Sequence, residues 1–237
     1  MGLIEYFVQS NDNADCVDPV LELVLLGSWL SEYNFKQQVA SDIGIDEQYI
    51  SANNLKTQDH LNSIAEWTSQ NMMQLNEQKT NYMVFSGSQT EVATRLTVNS
   101  KTIDRIEEVK LVGVWIDTWL DWEKNTRELC RKAYARMTMI TKLKYAGVGK
   151  EDLLNIYTLY IRSLLEYCSV VWHSTITAEQ NNKLESVQKL CLKIIFGPAY
   201  EGYESALQCC GLDSLRYRRE QKCLQFGLKT LQHPVHQ

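Results

Sequence analysis

One short stretch of this chain is dense in cations. Lys124, Arg127, Arg131, Lys132, Arg136, Lys142, Lys144 and Lys150 follow one another, interleaved with Tyr134 and Tyr145. Such residues hold phosphate by charge alone and need no readout of base sequence. An ordinary solvated helix face has the same composition, because Lys and Arg usually sit outside; the residues leave both readings open. Trp115, Trp119 and Trp122 stand close together just upstream. They can fill a core or offer rings for stacking, and stacking needs exposed rings. Cys209 and Cys210 with His233 and His236 form the one cluster with metal-ligand residue types. Zinc asks for paired ligands at short spacing, and no C-x-x-C occurs, so these read as structural residues. The seven cysteines are odd in number and scattered, and they read as reduced, mostly buried thiols. His173 follows Trp172 and reads as a residue at a helix C-terminus. The sequence contains no Walker loop, dinucleotide fingerprint, HExxH or nucleophile elbow.

The elements that would carry these residues differ between the two halves. Residues 1–122 hold 7 Lys/Arg against 18 Asp/Glu, and residues 123–237 hold 17 against 11. A basic half suits a polyanion, and an acidic half suits metal-binding carboxylates or simple solubility. A hydrophobic content of 44% and a charged content of 22% place the chain among globular proteins. No apolar run is long enough to span a bilayer, and the start lacks the basic and apolar pattern of a secretory signal. An intracellular protein, cytoplasmic or nuclear, with no membrane partner is the expectation.

In the first half, residues 36–56 show little pattern and read mostly as loop, while Val20 to Leu30 is apolar and fits strand or helix. Leu61, Ile64, Ala65, Thr68, Met72 and Leu75 recur at helical steps. They predict a helix that starts at Thr57 or Asp59 and ends over Asn76 to Lys79. Tyr82 to Ser86 predicts a strand buried on both faces. A second strand is expected near Ala93 to Val98, turning at Asn99-Ser100, and a third over Val109 to Ile116, paired antiparallel.

Beyond Asp121 the period is helical throughout. Leu129, Ala133, Met137 and Ile140 share one face, and Leu153, Ile156, Tyr157, Tyr160, Ile161, Leu164 and Leu165 share another. Thr177 and Gln180 have the spacing of a capping box. The helix they open should bury Leu184, Val187, Cys191 and Ile194 and stop at Gly197-Pro198. A last helix is expected over about Leu215 to Leu231, carrying Arg216, Arg218, Arg219 and Lys222.

Three stretches resemble the end of a non-LTR (LINE-like) retrotransposon reverse transcriptase. Leu75-Asn-Glu-Gln-Lys-Thr-Asn-Tyr-Met-Val-Phe85 is similar to the palm segment in which a helix ends, a Lys-Thr follows and a strand begins. Val109-Lys-Leu-Val-Gly-Val-Trp-Ile-Asp117, with Leu120 and Trp122, is similar to the hairpin that grips the primer terminus. Tyr157 to Trp172 with Leu184 to Gly197 resembles the helical region after the palm. The resemblance implies an α+β chain. Residues 1–122 would be an incomplete palm of antiparallel strands plus a helix, and residues 123–237 an all-helical thumb-like region.

The same resemblance implies an RNA-directed DNA polymerase whose palm carboxylates hold two Mg²⁺ ions. The family's signature is an aromatic, any residue and two adjacent Asp. The matching zone here, Ala14-Asp-Cys-Val-Asp-Pro19, lacks the aromatic and separates Asp15 from Asp18 by two residues. The upstream strand that carries another catalytic Asp is not visible in residues 1–13. No cofactor is therefore expected in this fragment, and it should be inactive alone. Lys79 matches the palm lysine that protonates pyrophosphate, and Val112, Gly113 and Trp115 match the primer grip. Lys124, Arg127, Arg131, Lys132 and Arg136 would hold an RNA–DNA or DNA duplex. The other readings are a protein-binding or self-associating domain and a degraded relic of such an element.

Overall fold

The computed structural model describes residues 5–9, 47–72, 80–85 and 95–231. It divides into two compact units, residues 1–120 and 121–237.

In the first unit, strand β1 (Glu5–Gln9) pairs antiparallel with β2 (Thr80–Val84). A short strand β5 (Asp104–Arg105) then pairs parallel with β2, so the order is β1-β2-β5. The residues that alternate in β2 are buried on both faces, as a central strand requires. The antiparallel expectation holds for every pair except β2 with β5. Strand β1 carries Glu5 and no Asp, and the rest of residues 1–13 lies outside the described residues.

Helix α1 (Glu47–Gln70) starts earlier than expected and takes in residues expected to be loop. Glu47, Gln48, Ala52, Leu55 and Lys56 favour helix by propensity without making an apolar stripe, so periodicity alone overlooks them. Leu61 is fully buried, but Met72 is not, because the helix ends at Gln70 and the chain turns left-handed at Met72 (φ 58°). Leu61 joins Tyr82, Val84, Leu96, Val98 and Ile103 in one core cluster. The Gln58 amide fastens α1 to strand β3 (Thr97–Val98) in both directions, donating to the Thr97 carbonyl (2.9 Å) and accepting from its N–H (3.0 Å). Val20 to Leu30 and Leu75 to Lys79 lie outside the described residues.

Two hairpins complete this unit. Strand β3 turns at Asn99-Ser100 into β4 (Lys101–Thr102), as expected. The stretch read as a single third strand is itself a hairpin, β6 (Glu108–Leu111) and β7 (Val114–Asp117), with Leu111 opposite Val114. Both turns have two central residues at positive φ, the type I′ geometry that matches strand twist. Val112 sits there at φ 44°, where a β-branched side chain is strained. Val112→Asn is expected to stabilise this unit by about 1–2 kcal/mol, the left-handed penalty of an ordinary residue. A urea midpoint that stays put or falls would contradict this.

The second unit is helical. Helix α2 (Glu123–Tyr145) packs along α6 (Ala178–Phe196), with Leu129, Ala133, Met137 and Ile140 buried as the periodicity predicts. Between them lie α3 (Lys150–Ile156), a π-helical segment (Tyr157–Arg162), α4 (Ser163–Leu165) and α5 (Ser169–Trp172). The π turn shifts the face: Leu153, Tyr157, Ile161 and Leu165 stay buried, but Tyr160, expected among them, is exposed. The capping box at Thr177 and Gln180 is present in both directions, at 3.2 and 2.8 Å. Leu184, Val187 and Cys191 are buried, while Ile195 takes the place expected for Ile194. After Gly197 the chain makes one 3₁₀ turn and enters α7 (Tyr203–Cys210), which the apolar pattern does not announce. Helix α8 (Leu215–Leu231) closes the unit against α5 and α6.

A polar network locks α6 to its neighbours. The Tyr157 hydroxyl donates to the Gln188 side-chain oxygen Oε1, and the Gln188 side-chain amide donates to Tyr203 (2.9 Å) and to the Asp213 backbone carbonyl (3.0 Å). Tyr203 in turn donates to Glu185, whose carboxylate accepts the N–H groups of Leu215 and Arg216 at the start of α8. A carboxylate supplied from another helix thus caps α8, where the dipole favours negative charge. Of the described cysteines Cys130 and Cys191 are buried; Cys209 is exposed and the rest are intermediate. The expectation of mostly buried thiols therefore fails among the described cysteines. Burial pushes the Cys191 thiol up to about 12 and that of Cys130 to about 11, which keeps both unreactive.

Candidate nucleic-acid interface

Helix α2 carries seven Lys/Arg against two Glu. A helix advances about 100° per residue, so steps of three and four keep to one side. Lys124, Arg127, Arg131, Tyr134, Thr138, Lys142 and Tyr145 follow such steps along the face opposite Leu129, Ala133, Met137 and Ile140. From Lys124 to Tyr145 the face is about 30 Å long at about 1.5 Å per residue. Lys124 is half-buried at its start, and Arg127, Arg131, Tyr134, Lys142 and Tyr145 are exposed.

Three other cations of the basic run are engaged within the unit. Arg136 donates to the Tyr160 carbonyl. Lys144 donates to the Ile194 carbonyl in the last turn of α6. Lys150 sits over the Phe196 ring at 3.5 Å. Lys132 is half-buried on the flank of the helix. Of the five cations expected to hold nucleic acid, Arg127 and Arg131 face solvent on one stripe, Lys124 begins it, Lys132 flanks it and Arg136 serves packing.

Arg131 pairs with Glu128 one turn back, at 2.8 Å. That hydrogen bond holds the Glu128 carboxyl below its ordinary range. The pair is exposed, screened by salt and weak, so it leaves Arg131 open to a phosphate. Burial raises the Tyr134 phenol somewhat, and it stays neutral.

Helix α8 is also basic by composition; Arg218, Arg219 and Lys222 are held within the unit, while Lys229 is exposed and Arg216 sits in an exposed pair. Arg218 and Lys222 converge on the buried Glu166 at 2.5 and 2.6 Å. Arg216 pairs with Glu220 at 3.0 Å. Arg219 is fully buried; its Nε donates to His173 Nδ1 (3.2 Å), another nitrogen donates to the Asn181 carbonyl oxygen, and its guanidinium lies 5.7 Å from the Trp172 ring centre. His173 is the C-cap of α5, as expected, and is also an acceptor for Arg219. Burial and the Arg219 charge lower its pKa, so the ring is neutral at pH 7, with its proton on Nε2.

No protein-family model, curated protein or solved structure matches this chain. The interface therefore stands on its own residues.

The other expected site residues belong to the first unit or lie outside the described residues. Val112 and Gly113 form the turn between β6 and β7, and Trp115 is half-buried opposite Lys110. Gly113 (φ 85°) serves the turn itself, which allows its positive φ without strain. The three tryptophans divide: Trp122 is core and donates to the Thr175 hydroxyl (2.7 Å), Trp115 is intermediate, and Trp119 is 69% exposed. Asp15, Asp18, Lys79, His233 and His236 lie outside the described residues. Among the described residues no group of three His, Cys, Asp or Glu is placed to hold a metal. No described helix is long and apolar enough to cross a membrane.

Proposed function

We propose that this chain is a non-enzymatic remnant of a non-LTR reverse transcriptase that keeps a sequence-independent hold on nucleic acid through the outer face of α2. The observation that carries the reading is the stripe itself. Arg127, Arg131 and Lys142 lie exposed along one side of a single helix, while Arg218, Arg219 and Lys222 of α8 are held by Glu166, His173 and Asn181. Phosphate binding asks for cations along a line and for no base contacts. The likeness of Leu75 to Phe85, Val109 to Asp117 and Tyr157 to Trp172 to palm, primer grip and thumb supports the origin.

The test is anisotropy of a labelled oligonucleotide titrated with the full chain at several salt concentrations. Affinity should fall linearly on log–log axes. Replacing Arg127, Arg131 and Lys142 together by Gln should flatten the slope by about 2–3, at about 0.7–0.9 per lost phosphate contact. Signal that never saturates at any salt would end the proposal.

A second reading, protein binding or self-association, is favoured by Tyr217, Leu224 and Leu228, which are 50%, 61% and 60% exposed on one side of α8. It predicts a size that grows with concentration and no salt-dependent oligonucleotide affinity.

A further inference from the structure

The stripe on α2 has an internal period. Arg131-Lys-Ala-Tyr134 and Lys142-Leu-Lys-Tyr145 each place a tyrosine three residues after a cation. The two units are eleven residues apart, close to three whole helical turns, so they share one face about 16 Å apart. Tyr134 is 43% exposed and Tyr145 is 89% exposed. Burying a phenol ring ordinarily stabilises a fold, yet Tyr145 stays largely in water and Tyr134 keeps part of its ring there, both beside cations.

From this arrangement we infer that the stripe takes single-stranded rather than duplex nucleic acid, each unit holding a phosphate on its cation and an unpaired base on its tyrosine. The inference rests on the nucleic-acid reading above and specifies its ligand. In a duplex the base faces are stacked on one another and only their edges reach the grooves. A row of cations would serve a duplex as well, but the rings beside them would find no base face. Single strands offer free faces, and stacking accepts any base. Arg131 adds a planar guanidinium on the same side, which can share in the stacking.

The experiment compares one labelled single-stranded oligonucleotide with its blunt duplex at one salt concentration, using the full chain. The single strand is expected to bind at least tenfold more tightly. Tyr145→Ala is expected to weaken single-strand binding about tenfold, the usual scale of one stacked base, and to leave duplex binding unchanged. Tyr145→Phe keeps the ring and should keep the affinity. Because Tyr145 is so exposed, its replacement leaves the core intact, and an unchanged thermal melt confirms that the variant folds. Equal affinity for the two forms, or a Tyr145→Ala variant that binds the single strand as well as the parent, overturns the inference while leaving phosphate binding in place. Salt-dependent binding of neither form removes both.

Discussion

Replacing Trp172 by alanine is expected to cost the helical unit about 3–5 kcal/mol, the range for deleting a large aromatic from a packed core. Its ring is fully buried, its Nε1–H donates to the Tyr167 carbonyl at 3.0 Å, and the Arg219 guanidinium lies against it. The alanine variant loses the packing, opens a cavity and takes away the surface on which a buried cation rests. Trp172→Phe keeps most of the volume and should cost clearly less. Urea unfolding followed by far-ultraviolet circular dichroism measures both. A loss under about 1 kcal/mol for the alanine variant would show that α5 and α8 are not held as described.

Glu166 is the second large effect. Its side chain is almost fully buried, while Arg218 and Lys222 reach it from α8 and remain 28% and 41% exposed. Burial by itself would raise this carboxyl; hydrogen bonds from Arg218 and Lys222, together with their charges, more than reverse that and leave it below the ordinary range. Glu166→Ala removes the one acceptor that both cations share. A full buried-pair break costs about 3–5 kcal/mol. The two cations can turn to water, so about 2–4 kcal/mol is expected.

The pH dependence has a definite sign. A carboxyl whose pKa is lower in the folded state stabilises the fold above its unfolded value, near 4.3, and loses that contribution as pH falls through the folded value. The parent should therefore lose stability on acidification below about pH 4.3, and Glu166→Gln should lose less over the same window. Parallel curves for the two proteins would mean that Glu166 is not the group that titrates.

Parts of this fold are written locally. The capping box at Thr177 and Gln180, the stop at Gly197-Pro198 and the turn at Asn99-Ser100 depend on residues a few positions apart. Such signals read directly from the chain, and so do the buried faces of α2 and α6. The start of α1 was hidden because polar helix formers leave no apolar period. The hairpin at Val112-Gly113 was hidden because Val is a poor residue for a left-handed turn, so its strands ran together as one.

The candidate interface divides in the same way. Sequence by itself determined that α2 is a helix, that its cations outnumber its acids and that Tyr134 and Tyr145 stand among them, since all of this follows from composition and a 3.6-residue period. Only the tertiary structure decided which cations remain for a ligand. Arg136 and Lys144 are taken by carbonyls of Tyr160 and Ile194, and Arg219 is buried against Trp172, His173 and Asn181. Those partners lie tens of residues away in sequence, and no local rule connects them. A long side chain ends wherever folding brings an acceptor within its reach, and that acceptor is set by the packing of helices distant in sequence.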